Sequence, residues 1–259
     1  MSSAMPELIV PTQNLVTPWG SVYTELARSW TIGEHVMITA PTGVGKSVCA
    51  EEIASLRSGV VVVGTKRKDD SMDVYLKQGY KRLYDWPPPR WGREPFRYVL
   101  WPKIQHIDDV LIAKPMYAKF LRSVFEIDNC TVVLDECQFM TQHLGLGKLL
   151  ELLFHQGRSG KLTLISLSQR PRWIPTAVRS ASSYAFLART TDQEDLAALV
   201  EFGGADRKRM REQLRNLDSD KHQLLFVRSR RPDMGKVTVV ARGTRLRSAT
   251  TTERAMANA

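Results

Sequence analysis

Cysteine is scarce in this chain: three among 259 residues. Cys49, Cys130 and Cys137 are odd in number, lack metal-ligand spacing, and stand in apolar stretches. That pattern predicts buried reduced thiols and argues against a disulfide scaffold or a metal cluster. Long apolar runs are also missing. Nothing approaches the roughly 20 residues of a bilayer-crossing helix, so no membrane insertion is expected. The opening Met1-Ser2-Ser3-Ala4-Met5-Pro6 has no basic stretch followed by an apolar core. No secretory leader is read there, and the expected location is cytoplasmic. No internal repeat is visible, which sets aside solenoids and propellers. The remainder is ordinary for a globular chain, 43% hydrophobic and 25% charged, and long enough for one large domain with appendages.

Acidic residues are outnumbered. Lysine and arginine total 37 against 27 acids, a net charge of +10. A polyanion is therefore a plausible partner class, and nucleic acid is the commonest polyanion. The charge gathers at Lys66-Arg67-Lys68, at Arg207-Lys208-Arg209-Met210-Arg211, at Arg228 to Arg231, and at Arg242, Arg245 and Arg247. Each cluster taken alone reads first as a solvated face.

The most informative stretch is Ala40-Pro41-Thr42-Gly43-Val44-Gly45-Lys46-Ser47. It follows an apolar run, His35 to Thr39, and opens a helical pattern from Val48 to Leu56. Strand, glycine-containing loop and helix are the context of a phosphate-binding loop. Gly43 and Gly45 let backbone N–H groups approach a triphosphate, and the helix N-terminus adds unpaired donors. Pro41 through Val48 form the predicted nucleotide-binding segment. Lys46 reaches toward the β- and γ-phosphates, and the Ser47 hydroxyl suits Mg²⁺. Ala40 stands where such loops usually begin with glycine, a mild departure.

The complementary half is Thr131-Val132-Val133-Leu134-Asp135-Glu136, a buried parallel strand carrying two carboxylates at its C-terminal end. Ligands of open α/β sheets bind at that end. Asp135 suits the metal and its water shell, and Glu136 suits polarisation of an attacking water. Such a pair points to hydrolysis.

Elsewhere, Val22 to Trp30 is amphipathic, and Gly59-Val60-Val61-Val62-Val63-Gly64 predicts a central buried strand. Asp69 to Gln78 predicts a helix capped by Asp69 or Asp70. Tyr84-Asp85-Trp86-Pro87-Pro88-Pro89-Arg90-Trp91 excludes helix and central strand, so a surface excursion is expected. Its tryptophans either form a contact surface or fold back onto the domain. Further strands are expected near 97–101, 162–168, 183–187, 224–227 and 237–240, with helices near 113–127, 144–156, 191–202 and 205–217. This alternation predicts an α/β domain with a mostly parallel sheet flanked by helices. The late position of the Asp-Glu strand fits the RecA-like (ASCE) branch of P-loop NTPases. The expected division is an N-terminal arm and helix at 1–32, the RecA-like domain at 33–243, and a disordered tail at 244–259.

The stretch from Gly157 to Ala205 discriminates further. Gln169 ends a buried strand next after the Asp-Glu strand, where it is placed to sense the γ-phosphate or the lytic water. Arg158 sits on a glycine-flanked loop that suits an arginine supplied to a neighbouring copy. The run Gly157-Arg158-Ser159-Gly160, the apolar strand, Ser168-Gln169-Arg170-Pro171, Ile174-Pro175, Val178-Arg179, Thr191-Asp192 and Phe202-Gly203-Gly204-Ala205 resembles the FtsK/HerA superfamily of DNA-pumping ATPases. The resemblance spans about residues 33–230. It makes the two nucleotide motifs Walker A and Walker B, with ATP and Mg²⁺ as cofactors. It implies a ring-shaped homo-oligomer, usually a hexamer, that moves double-stranded DNA. Lys46, Glu136 and Gln169 then carry catalysis, Ser47 and Asp135 the metal, and Arg158 is the first candidate trans finger, with Arg179 and Arg189 as alternatives. Lys66, Arg67, Lys68, Lys148, Arg170 and Arg172 are candidate DNA-phosphate contacts.

The chain has the size of a bare motor, like viral or phage genome-packaging ATPases or a compact mobile-element ATPase, acting in the host cytoplasm if viral. A capsid or portal docking protein is then a further expected partner, met by the Trp86–Trp91 excursion or the N-terminal arm. Two other readings stand beside this one: a Zot-like phage assembly or secretion ATPase, and a non-motor nucleotide-dependent regulator.

Overall fold

The computed structural model describes residues 16–89, 91–93, 95–202 and 206–229, and the backbone of 234–238. The predicted arm before residue 16, the stretch Gly203-Gly204-Ala205 and the tail lie outside the described residues. The chain runs β1 (Val16–Pro18), α1 (Trp19–Ser29), β2 (His35–Thr39), α2 (Lys46–Ser55) and β3 (Gly59–Val63). It continues through α3 (Asp70–Lys77), β4 (Lys81–Leu83), β5 (Phe96–Leu100), α4 (Ile107–Ile112), α5 (Lys114–Phe125) and β6 (Thr131–Leu134). A π-helical turn, Phe139–His143, leads to α6 (Gly147–Gln156), β7 (Thr163–Ser168), α7 (Thr176–Ala181) and β8 (Ser182–Ala188). The last elements are α8 (Gln193–Leu199), α9 (Arg207–Arg215), β9 (Gln223–Arg228) and β10 (Met234–Thr238).

Among the described residues, ten strands form one sheet in the order β1-β10-β9-β8-β2-β7-β6-β3-β5-β4. All pairings are parallel except those of β9 with β8 and β10. A parallel sheet needs helices on both faces, so its inner strands read as unbroken apolar runs. The four valines of β3 show this. Val61 and Val63 join the core beneath α5, α6, α8 and α9, whereas Val60 and Val62 join the core beneath α1, α2 and α3. Successive side chains on a strand point to opposite faces, so one run supplies both cores. The three cysteines are free and buried, as their apolar settings predict.

Several predicted elements differ in their ends. The helix expected from Leu144 begins at Gly147, because the π-helical turn occupies the preceding residues and Gly145 takes φ 62°. The helix expected at 113–127 is α5, which starts beside Pro115, a residue suited to the first helical turn. Asp69 caps α3, its carboxylate accepting the Ser71 amide at 2.9 Å. Of the two readings of the Trp-Pro segment, the rings fold back. Trp86 is 2% exposed and donates its indole N–H to Ser123 Oγ at 2.7 Å. It meets Trp91 and Phe120 at ring separations of 4.4 and 4.7 Å.

His35 ties the start of β2 to its neighbours. Its Nε2 lies 3.0 Å from the Phe154 carbonyl, and its Nδ1 accepts the Leu164 amide at 3.1 Å. This pairing requires a neutral ring with the proton on Nε2, since protonated Nδ1 would face another donor. Burial pushes the pKa down from 6.5 to about 4. As pH falls, the unfolded chain takes up this proton first. The His35 contribution is therefore complete above pH 6.5 and drains away between 6.5 and about 4, at up to about 1.4 kcal/mol per pH unit. Urea unfolding between pH 7 and pH 5 is expected to show this loss. His35→Gln should be less stable at pH 7 and flatter across the window; an equally steep loss in the variant would exclude His35 as its source.

Candidate nucleotide site

Every element of the site leaves the sheet at the same edge. β2, β3, β6 and β7 are parallel, so their C-terminal ends lie side by side. β7 is inserted between β2 and β6, which sets Gln169 between the glycine loop and the Asp-Glu pair. A cleft of about 660 Å³ opens there. Pro41, Thr42, Gly43, Gly45, Lys46, Ser47 and Val48 line it, together with Lys66, Asp69, Asp135 and Gln169. That volume suits a nucleotide-sized ligand.

The glycines do what their conformation demands. Gly43 has φ 89°, and Gly45 has φ 101° as the cap of α2, a region that penalises any Cβ. The loop therefore turns tightly into α2, whose first N–H groups have no intrahelical partner. Val44 differs from the other seven predicted loop residues: its side chain joins the core beneath α2. Ala40 is also buried in that core, and its amide donates to the Ser168 carbonyl at 3.2 Å. Lys46 is the first residue of α2 and only 8% exposed. Burial pulls its pKa below the ordinary lysine value, and Asp135 and Glu136 oppose that shift.

Asp135 is 5% exposed. Burial raises its carboxyl to about 6, against the pull of the Lys66 ammonium. Its carboxylate, the Ser47 hydroxyl and Asp69 line one cleft, with the Lys66 ammonium 3.6 Å from Asp69 Oδ2. Hard oxygen donors gathered in this way fit Mg²⁺. Ser71 Oγ lies 3.0 Å from Ser47 Oγ, linking the start of α3 to the loop. Glu136 accepts a hydrogen bond from Gln169 Nε2 at 2.9 Å. The sequence reading of Gln169 is a sensor of the γ-phosphate or the lytic water; its amide instead donates to the carboxylate read as the water-polarising group.

The three candidate finger arginines separate by position. Arg158 precedes β7 and Arg179 precedes β8, so both lie at the edge opposite the glycine loop. Neither can reach the nucleotide cleft of its own chain. Arg158 is exposed, while Arg179 donates to the Ile174 carbonyl at 3.0 Å. Arg189 follows β8 at the cleft edge, in a pocket shared with Pro41, Thr42 and Gln169. Among the candidate DNA contacts, Arg170 pairs with Asp192 and Asp195 at 3.3 and 3.0 Å, and Arg172 pairs with Glu194. Lys66 pairs with three carboxylates, a role its basic run conceals. Arg67, Lys68 and Lys148 are exposed.

No protein-family model matches the chain, and neither does any curated protein. Solved structures do. The genome packaging NTPase B204 from Sulfolobus turreted icosahedral virus 2, in complex with AMPPCP, aligns over 82% of this chain and 100% of its own, at TM-score 0.58 and 12% identity. VirB4 of Thermoanaerobacter pseudethanolicus aligns over 80% and 89%, at TM-score 0.59 and 12% identity. The pCW3 conjugation coupling protein TcpA, as a monomer with ATPgS, aligns over 80% and 60%, at TM-score 0.52 and 12% identity. At such identities the likeness is one of fold, and it defines a RecA-like P-loop NTPase fold.

The cleft geometry gives a direct expectation. Lys46→Ala should weaken nucleoside triphosphate binding by roughly tenfold or more, the weight of one charge-assisted contact. Titration calorimetry against wild type would measure it, and unchanged affinity would exclude Lys46 as a phosphate ligand.

Proposed function

We propose that this chain is an ATPase that moves double-stranded DNA. The observation that carries the hydrolytic half is the convergence of Lys46, Ser47, Asp135 and Gln169 on one cleft, with Glu136 beside it, bonded to Gln169 at 2.9 Å and paired with Lys66 at 2.9 Å. Lys46 and the amides at the start of α2 hold the β- and γ-phosphates. Mg²⁺ held by Ser47 and Asp135 would supply neutralisation of the charge developing on the phosphoryl oxygens. Glu136 takes a proton from water as the water oxygen attacks the γ-phosphorus and the bond to the β-phosphate oxygen breaks. Gln169 orients Glu136 and reports the state of the γ-phosphate to β7.

Arg158 lies at the far edge of its own sheet, so a catalytic role for it requires a second copy whose cleft it enters. This favours a homo-oligomeric ring, with a hexamer as the first expectation. The DNA half rests on the net charge of +10 and on exposed basic residues. Among the described residues, no ion pair engages Arg67, Lys68, Lys148, Arg207, Lys208, Arg209 or Arg211. Unpaired surface cations suit phosphate contacts that are independent of base sequence. Structures of like fold include proteins named for genome packaging and for conjugation coupling, which supports cargo of this kind and a capsid, portal or other docking protein as a further partner.

Steady-state ATP hydrolysis with duplex DNA of increasing length, at two salt concentrations, tests the proposal. Stimulation that grows with length, weakens with salt and vanishes in Lys46→Ala is the expected result. Hydrolysis indifferent to DNA at both salts would reject the motor and leave a regulator or an assembly ATPase. Glu136→Gln is expected to retain ATP binding and lose at least about 100-fold in kcat; a kcat near wild type would remove Glu136 from the role of base.

A further inference from the structure

Lys66 belongs to a run of three exposed basic residues, Lys66-Arg67-Lys68, of which Lys66 and Lys68 line the cleft. Among the described residues, its ammonium is the one of the three that meets carboxylates. Nζ lies 2.9 Å from Glu136 Oε1, 3.3 Å from Asp135 Oδ2 and 3.6 Å from Asp69 Oδ2. Glu136 Oε1 therefore receives two donors, Lys66 Nζ at 2.9 Å and Gln169 Nε2 at 2.9 Å. They approach from the two sides of β6: Lys66 follows β3, Gln169 follows β7, and β6 lies between those strands.

The backbone that delivers Lys66 is pinned. Trp101 donates its indole N–H to the Lys66 carbonyl at 2.6 Å, and Tyr117 donates its hydroxyl to the Gly64 carbonyl at 2.8 Å. Both aromatic side chains are buried, and Thr65 between them is 6% exposed. A flexible surface lysine gains little from an exposed ion pair. The Lys66 side chain is 43% exposed, but it leaves a fixed backbone and its ammonium meets three carboxylates that are only 7, 7 and 15% exposed, so several contacts at once hold it in place.

We infer that Lys66 is a positioning residue for hydrolysis: with Gln169 it clamps one oxygen of Glu136, leaving the other to accept the proton of the attacking water. The inference rests on the hydrolytic reading given above and deepens it. Lys66 takes no proton and forms no bond to the phosphoryl group. It fixes the carboxylate against rotation and balances negative charge from Asp69, Asp135 and Glu136. Supporting groups that orient a reacting ligand typically account for ten- to a hundredfold in activity.

The test compares wild type, Lys66→Met and Lys66→Arg in the full chain, with Lys221→Met as a remote surface control. Steady-state ATP hydrolysis without DNA gives kcat and KM; fluorescence anisotropy of a mant-labelled ATP gives the Kd; circular dichroism melting confirms folding. Lys66→Met is expected to lose roughly ten- to a hundredfold in kcat, with KM and mant-ATP Kd within about threefold of wild type. Lys66→Arg should recover part of that loss, since it restores the charge and a donor. A Lys66→Met kcat within twofold of wild type would overturn the inference, and so would a loss confined to Kd. Failure of the underlying reading looks different: wild type would bind mant-ATP and hydrolyse none, which rejects both hydrolysis and the role of Lys66.

Discussion

The whole arrangement depends on parallel pairing across the middle of the sheet. Parallel strands end together, so loops leaving β3, β6, β7 and β2 meet along one edge although they are far apart in sequence. Covering both faces with helices then buries the strands and leaves that edge as the open place where backbone N–H groups, carboxylates and an amide face a common cleft. Loss of register in any one of these strands would move its terminal residue off the cleft, because a one-residue slip reverses the side on which each side chain lies.

The cleft is also an electrostatic balance. Lys46, Asp135 and Glu136 are withdrawn from water, which raises the cost of each charge held alone. Their pKa displacements run in opposite directions for that reason: burial lowers Lys46 and raises Asp135. Lys66 enters this set from a segment whose composition resembles a solvent-facing basic patch. Trp101 and Tyr117 fix the backbone on either side of Thr65, and that anchoring holds a partly exposed charge against buried carboxylates.

The same physics explains why three of the six cations suited to DNA by composition are engaged elsewhere. Arg170 sits where Asp192 and Asp195, at the start of α8, fold back against the loop after β7, and Arg172 finds Glu194 on the same helix turn. Acids in a first helical turn are favoured by the helix dipole, so this docking satisfies the helix and neutralises the arginines together. Of the six, Arg67, Lys68 and Lys148 remain exposed and outside these ion pairs, Lys68 at the rim of the nucleotide cleft.

Local chemistry was readable without coordinates. The Gly43-Val44-Gly45-Lys46-Ser47 turn requires positive φ at its glycines, and β-branched runs such as Val60 to Val63 require burial on both faces, so loop, strands and parallel architecture follow from residue type and spacing. The proximity of Gln169 to Glu136 was also within reach, since both end apolar strands of one sheet. Other features were decided by packing between distant segments. Trp86 and Trp91 have the composition of a contact surface, and only the position of α5 buries the first of them. Arg158, Arg179 and Arg189 are alike as residues, and only strand direction places two of them at the far edge and one beside the cleft. The partners of Lys66 lie up to 70 residues away. Sequence periodicity reports which face of an element is apolar, but long-range ion pairs depend on which strands become neighbours, and the tertiary fold alone sets that order.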